Sequence, residues 1–131
     1  MSVLYLDSSA FVKVVVAEPE SKALRGFLAR SAARRVSSAL VRTEAMRAVR
    51  HLGPEVMAVT REALRRIDLI GVDDRILDVA GILEPGIMRT LDAIHLATAL
   101  ALGDDLEAIV TYDERMADAA ALLGVRIARP A

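Results

Sequence analysis

The chain has 131 residues, of which 54% are hydrophobic and only 3% aromatic, and a net charge of −1. That composition excludes disorder and supports one aliphatic core of Leu, Val, Ile and Ala. There is no cysteine, so disulfides, thiolate zinc sites and Cys nucleophiles are excluded. The start MSVLYLD has no basic segment and meets an acid at Asp7, and no charge-free run reaches the ~20 residues of a membrane span. The expectation is a single-domain, cytoplasmic protein with no membrane partner.

In chain order, Val3–Leu6 is a compact aliphatic strand. Ser8 or Ser9 offers an N-cap for a helix from Ala10, although the valines of AFVKVVVA equally suit a strand. Pro19 opens a second helical segment, and Val36–Ser38 is a brief second strand. The segment ALVRTEAMRAVRHLG repeats its apolar residues at helical spacing and stops at Gly53, after which Pro54 starts another helix. Asp68–Val72 reads as a third strand, and Asp73 caps a helix that ends before Pro85. Thr90 is the expected N-cap, and Gly103 the expected C-cap, of the helix TLDAIHLATAL. Ala108–Tyr112 is a fourth strand, ERMADAAALLG a helix closed by Gly124, and Val125–Ala128 a last strand. Apolar strands alternating with helices predict an α/β fold with a mainly parallel sheet of about five strands.

The small net charge hides a marked asymmetry. Arg25–Arg66 holds ten arginines against three acids, a local charge of +7, while Ile67–Ala131 holds twelve acids against five arginines, a local charge of −7. Such polarity suits a protein that attracts a polyanion with one part and holds cations with another. Taken singly, each arginine is equally well explained as a solvated helix face.

The carboxylates are more informative. Asp7 and Asp113 each follow a strand, and ligands of open parallel sheets sit beyond the carboxyl ends of strands. Helices after those strands begin at the same edge, which places Glu44 and Asp92 there as well. One acid at a helix start needs no function, because the helix N-terminus favours it by ~0.3–1 kcal/mol. Four that converge raise one another's pKa or need a cation among them. Oxygen ligands without sulfur suit Mg²⁺ or Mn²⁺, and such an ion serves phosphodiester hydrolysis. Ser8 and Ser9 read as caps first and as donors to Asp7 second; Thr111 shares a strand face with Asp113 and offers a donor to carboxylate or phosphate. His95 reads as a packed core residue, His51 as surface, and Asp118 as solvated.

The order LYLDSSAFVK, RTEAMRAV, LDAIHLATAL and VTYDERM resembles the PIN-domain nucleases, and most of all the VapC-type toxins of toxin–antitoxin pairs. The resemblance spans nearly the whole chain and implies a three-layer α/β/α fold. It implies a magnesium- or manganese-dependent endoribonuclease with Asp7, Glu44, Asp92 and Asp113 as acidic quartet and metal ligands. It also implies a homodimer, a cognate antitoxin whose arm crosses the groove, and structured RNA such as tRNA or rRNA as target. Arg42, Arg47, Arg50 and Arg115 are then the expected RNA contacts. Two other readings stand beside it. One is a phosphoryl-accepting α/β domain, disfavoured because no lysine follows Lys22; the other is a non-catalytic RNA- or protein-binding module.

Overall fold

A computed structural model describes residues 1–131. The chain runs β1 (Val3–Leu6), α1 (Ser8–Val15), α2 (Ser21–Arg30), β2 (Arg34–Ser38), α3 (Val41–Val49), α4 (Pro54–Arg65) and β3 (Asp68–Ile70). It continues with α5 (Asp74–Ile82), α6 (Thr90–Leu100), β4 (Leu106–Val110), α7 (Glu114–Leu122) and β5 (Ile127–Ala128). The five strands form one sheet in the order β3-β2-β1-β4-β5, and every pairing is parallel. No helix is long and apolar enough to cross a membrane.

Strand alternation builds the layers. Val3, Tyr5 and Ile109 face Leu96 and Ala99 of α6 and Met116, Ala119 and Ala120 of α7. Leu4, Leu6, Ala108 and Val110 point the other way, onto Ala10 of α1 and Leu24 and Leu28 of α2. Both faces of the central strands are therefore covered, as a parallel sheet requires. On the flanks, Phe11 packs with Val41, Ala45 and Ile67, and Ile76 with Ile94 and Ala97.

Several expected boundaries move, each for a local reason. The valine run is helical: α1 starts at Ser8, and its cap is Asp7 rather than either serine, with the Asp7 carboxylate accepting from the Ala10 amide at 3.0 Å. The second helix starts at Ser21 rather than Pro19. β2 begins at Arg34, two residues early, because Arg34 and Arg35 pair with Val3 and Leu4 of β1. β3 stops at Ile70, where its partner β2 stops at Ser38. β4 covers Leu106–Val110 instead of Ala108–Tyr112, and β5 keeps only the two residues that pair with Ile109 and Val110. Thr90 is the first residue of α6 rather than its cap; Arg89 takes the cap position without a side-chain bond. Gly103 opens a short 3-10 turn beyond the end of α6 instead of closing that helix.

Other ends fall as expected. The Asp73 carboxylate accepts from the Ile76 amide at 2.9 Å and caps α5. Pro54 is the first residue of α4. Gly124, at φ +75°, closes α7: its amide reaches the Ala121 carbonyl and the next amide, Val125, reaches Ala120. That is a left-handed helix stop, which glycine adopts without a Cβ penalty.

The strand order reverses between β1 and β4. Chain segments leave those two adjacent strands toward opposite sides, opening a crevice at their carboxyl ends.

Candidate active site

Asp7 leaves β1 and Asp113 follows β4, so both lie at that crevice. Asp7 is only 4% exposed, and the structure surrounds its carboxylate with donors. One oxygen accepts from Ser9 Oγ at 2.6 Å and from the Ala10 amide; the other accepts from Thr111 Oγ1. Ser9 Oγ in turn accepts from the Tyr112 amide at 2.9 Å, and Thr111 Oγ1 from the Asp113 amide at 3.1 Å. The two loops that follow β1 and β4 are thus stitched together through Asp7. Ser9 and Thr111 take the donor roles expected of them, whereas Ser8 is only the first residue of α1.

Burial pushes the Asp7 carboxyl up, and the bonds from Ser9, Thr111 and Ala10 pull it part of the way back. Asp92 stands in the first turn of α6 and is half-buried. Its pKa is raised too, first by desolvation and then by the charges of Asp113 and Asp7, against the opposing pull of His95 and Arg89. Asp113 caps α7 with one oxygen, which accepts from the Arg115 amide at 2.9 Å and the Met116 amide at 3.3 Å. Its second oxygen is left over from capping. Three of the four acids therefore share an electrostatic neighbourhood.

Glu44, in the first turn of α3, is held differently. Its carboxylate meets His95 Nε2 at 2.5 Å, and His95 Nδ1 meets the Tyr5 hydroxyl at 2.6 Å. Burial, reinforced by Asp7, pushes the Tyr5 hydroxyl far up, so it keeps its proton and can either donate to Nδ1 or accept from it, as the His95 tautomer sets. Nε2 donates to the carboxylate, which has only acceptors to offer. Tyr5 is fully buried and His95 1% exposed, so the chain Tyr5–His95–Glu44 runs through the core from β1 to α3. Packing alone was the expectation for His95; it is in fact a polar bridge. The signal lay in Tyr5, which shares a strand face with Asp7 and so points at α6.

The donor set is all oxygen apart from His95, and the mutual repulsion felt by Asp92 is what a cation would relieve. No three acid or histidine side chains are drawn together tightly enough to form a ready-made cage. The chemistry of the acids fits a hard divalent ion, with His95 holding one oxygen of Glu44 and leaving the other for the ion.

Of the basic block, Arg42, Arg47 and Arg50 lie exposed on or just beyond α3, the helix that carries Glu44. Arg115 lines a cavity together with Asp92. Other arginines are already engaged: Arg34 pairs with Asp68, Arg65 and Arg66 with Glu62, and Arg25 holds the Val14 carbonyl.

The family described as PIN domain matches residues 4–122. The chain belongs to the PIN-domain family. Within it, the chain is 55% identical to ribonuclease VapC46 of Mycobacterium tuberculosis, over 99% of both chains, which places it among the VapC group. Among solved structures, this PIN domain is similar to VapC20 of Mycobacterium tuberculosis, a toxin that cleaves the sarcin–ricin loop. The TM-score is 0.77 at 15% identity, covering 97% of this chain and 99% of the other. It is similar also to a chain of a toxin–antitoxin complex from Klebsiella pneumoniae, with TM-score 0.71 at 21% identity over 99% and 98% of the two chains. These likenesses match the five-stranded parallel PIN fold.

Proposed function

We propose that this PIN domain hydrolyses phosphodiester bonds in RNA as the toxin of a toxin–antitoxin pair. In this reading its cleavage depends on Mg²⁺ or Mn²⁺ held by Asp7, Asp92 and Asp113 with Glu44. The observation that carries the proposal is the position of Asp7: a buried, donor-surrounded carboxylate at the strand-order reversal, beside two acids whose charges oppose one another. An ion bound there would supply Lewis-acid polarisation of the phosphate and activation of water. The chain's own residues do the rest. Ser9 and Thr111 hold Asp7 in one orientation, and His95 holds Glu44. Arg42, Arg47, Arg50 and Arg115 draw in the RNA backbone, whose phosphates dominate the attraction.

The proposed targets are structured RNAs such as tRNA or rRNA, and the working unit is a homodimer silenced by a cognate antitoxin. A phosphoryl-accepting role for Asp7 is disfavoured, because no lysine follows Lys22 in the chain to neutralise a phosphorylated aspartate.

The test is incubation of total RNA with the purified protein, followed by mapping of the new ends. Discrete cleavage is expected with Mg²⁺ or Mn²⁺, lost on chelation and in Asp92→Asn. Cleavage that persists in both cases contradicts the roles assigned to the acids, and no cleavage with either metal favours a non-catalytic binding module.

A further inference from the structure

Beside Asp92 the structure holds a cavity of about 450 Å³, between the α5–α6 loop and α7. One wall is a single stripe of α7: Arg115, Asp118, Ala119 and Leu122 recur at the spacing that puts residues on one helix face. The opposite wall comes from the loop, with Met88 and Arg89. The stripe is polar at its start, near the acids, and apolar farther away. Leu122 is 75% exposed, an apolar surface that the fold itself does not cover. Arg89, Arg115 and Asp118 enter no ion pair.

We infer that this cavity receives one unpaired base of the RNA, next to the bond that is cut, and selects guanine. The inference rests on the ribonuclease reading above. The size lies within the ~300–1,000 Å³ range of small-molecule sites. Two lining guanidiniums that enter no ion pair suit the phosphates on either side of a nucleotide, and the apolar lining suits the face of its base. Proteins read RNA sequence mostly from such splayed-out bases, along their Watson–Crick edges. The selection comes from Asp118. An ionised carboxylate only accepts hydrogen bonds, and guanine alone presents two adjacent donors, its ring N–H and its amino group, on that edge. Uracil presents one N–H between two carbonyl oxygens, which a carboxylate repels. Adenine and cytosine, each with an amino group beside a ring acceptor, fall between.

The test is a methyl NMR titration of the full-length, metal-free protein, followed at Met88 and Leu122, with guanosine and uridine 5′-monophosphate as probes. Both carry the same phosphate, so any difference reads the base. Guanosine monophosphate is expected to shift these methyls at concentrations roughly tenfold lower than uridine monophosphate, the size of one bidentate contact, and Asp118→Asn to bring the two within about twofold. Asp118 is exposed, so the variant folds as the parent does, which its unperturbed methyl spectrum without nucleotide checks. Equal shifts by both nucleotides, or none, overturn the base pocket, and the absence of any shift leaves the cavity to an antitoxin side chain. If the protein cuts no RNA with either metal, the ribonuclease reading falls while the titration still reads the cavity. If it cuts RNA and the nucleotides do not differ, the ribonuclease reading stands and the base pocket falls.

Discussion

Asp7 serves two demands with one side chain. As the cap of α1 it satisfies an amide that would otherwise lack a partner, and as a buried anion it stands ready for a cation. The second demand is a burden on the fold. Because burial raises the carboxyl pKa in the folded state, the native chain binds that proton more tightly than the unfolded chain does. Stability therefore falls as pH rises from the ordinary carboxylate pKa through the raised one. Asn keeps the cap and does not titrate. Metal-free Asp7→Asn is expected to melt at a higher temperature than the parent at pH 7, with the gap closing near pH 4 by calorimetry; an unchanged or lower melting temperature at pH 7 contradicts this. His95 is the residue whose role the sequence concealed. A histidine among Leu, Ala and Ile looks like packing, and only the three-dimensional approach of Tyr5 and Glu44 reveals the bridge. Partners of this kind are worth about 10–100-fold in metal affinity. His95→Leu is expected to weaken Mn²⁺ binding by about that factor in a calorimetric titration, while His95→Gln, which keeps a donor toward Glu44, retains most of it. Equal affinity in the leucine variant would remove His95 from any part in holding Glu44.

The elements show where local signals suffice and where pairing decides. Asp73, Pro54 and Gly124 mark helix ends by their own backbone or side-chain chemistry, and all three are legible without tertiary context. Asp73→Ala removes a cap outside the acid cluster and is expected to cost about 1 kcal/mol of stability in denaturant unfolding, with RNA cleavage unchanged. A loss well above that figure, or a loss of cleavage, would show that α5 supports the site directly. Strand ends behave otherwise. β3 and β5 are shorter than their apolar runs suggest because a strand lasts only as long as its neighbour pairs with it. The AFVKVVVA run illustrates competition between levels. Its valines favour a strand locally, but the Asp7 cap and the burial of Ala10 and Phe11 against neighbouring helices decide for helix.

At the scale of the whole molecule, the order β3-β2-β1-β4-β5 sets β1 beside β4 and so brings Asp7 to Asp113, 106 positions apart in the chain. Alternating strands and helices make a parallel sheet legible, and the rule that ligands lie beyond the carboxyl ends of strands places the acids on one rim. What the alternation does not disclose is how closely they approach. Glu44 is tied to His95, whereas Asp92 feels the charges of Asp113 and Asp7. The +7 of the arginine block likewise overstates the free charge, since Arg34 spends its own on Asp68, outside the block, while the pairs of Arg65 and Arg66 with Glu62 are already netted within it. A cation is what makes that rim tolerable in the proposed mechanism, and anomalous diffraction from crystals grown with Mn²⁺ reads it directly. A manganese peak among the carboxylates of Asp7, Asp92 and Asp113, with Glu44 drawn toward it, is the predicted result. Crystals saturated with Mn²⁺ that show no peak there, or place the ion against other residues, would contradict it.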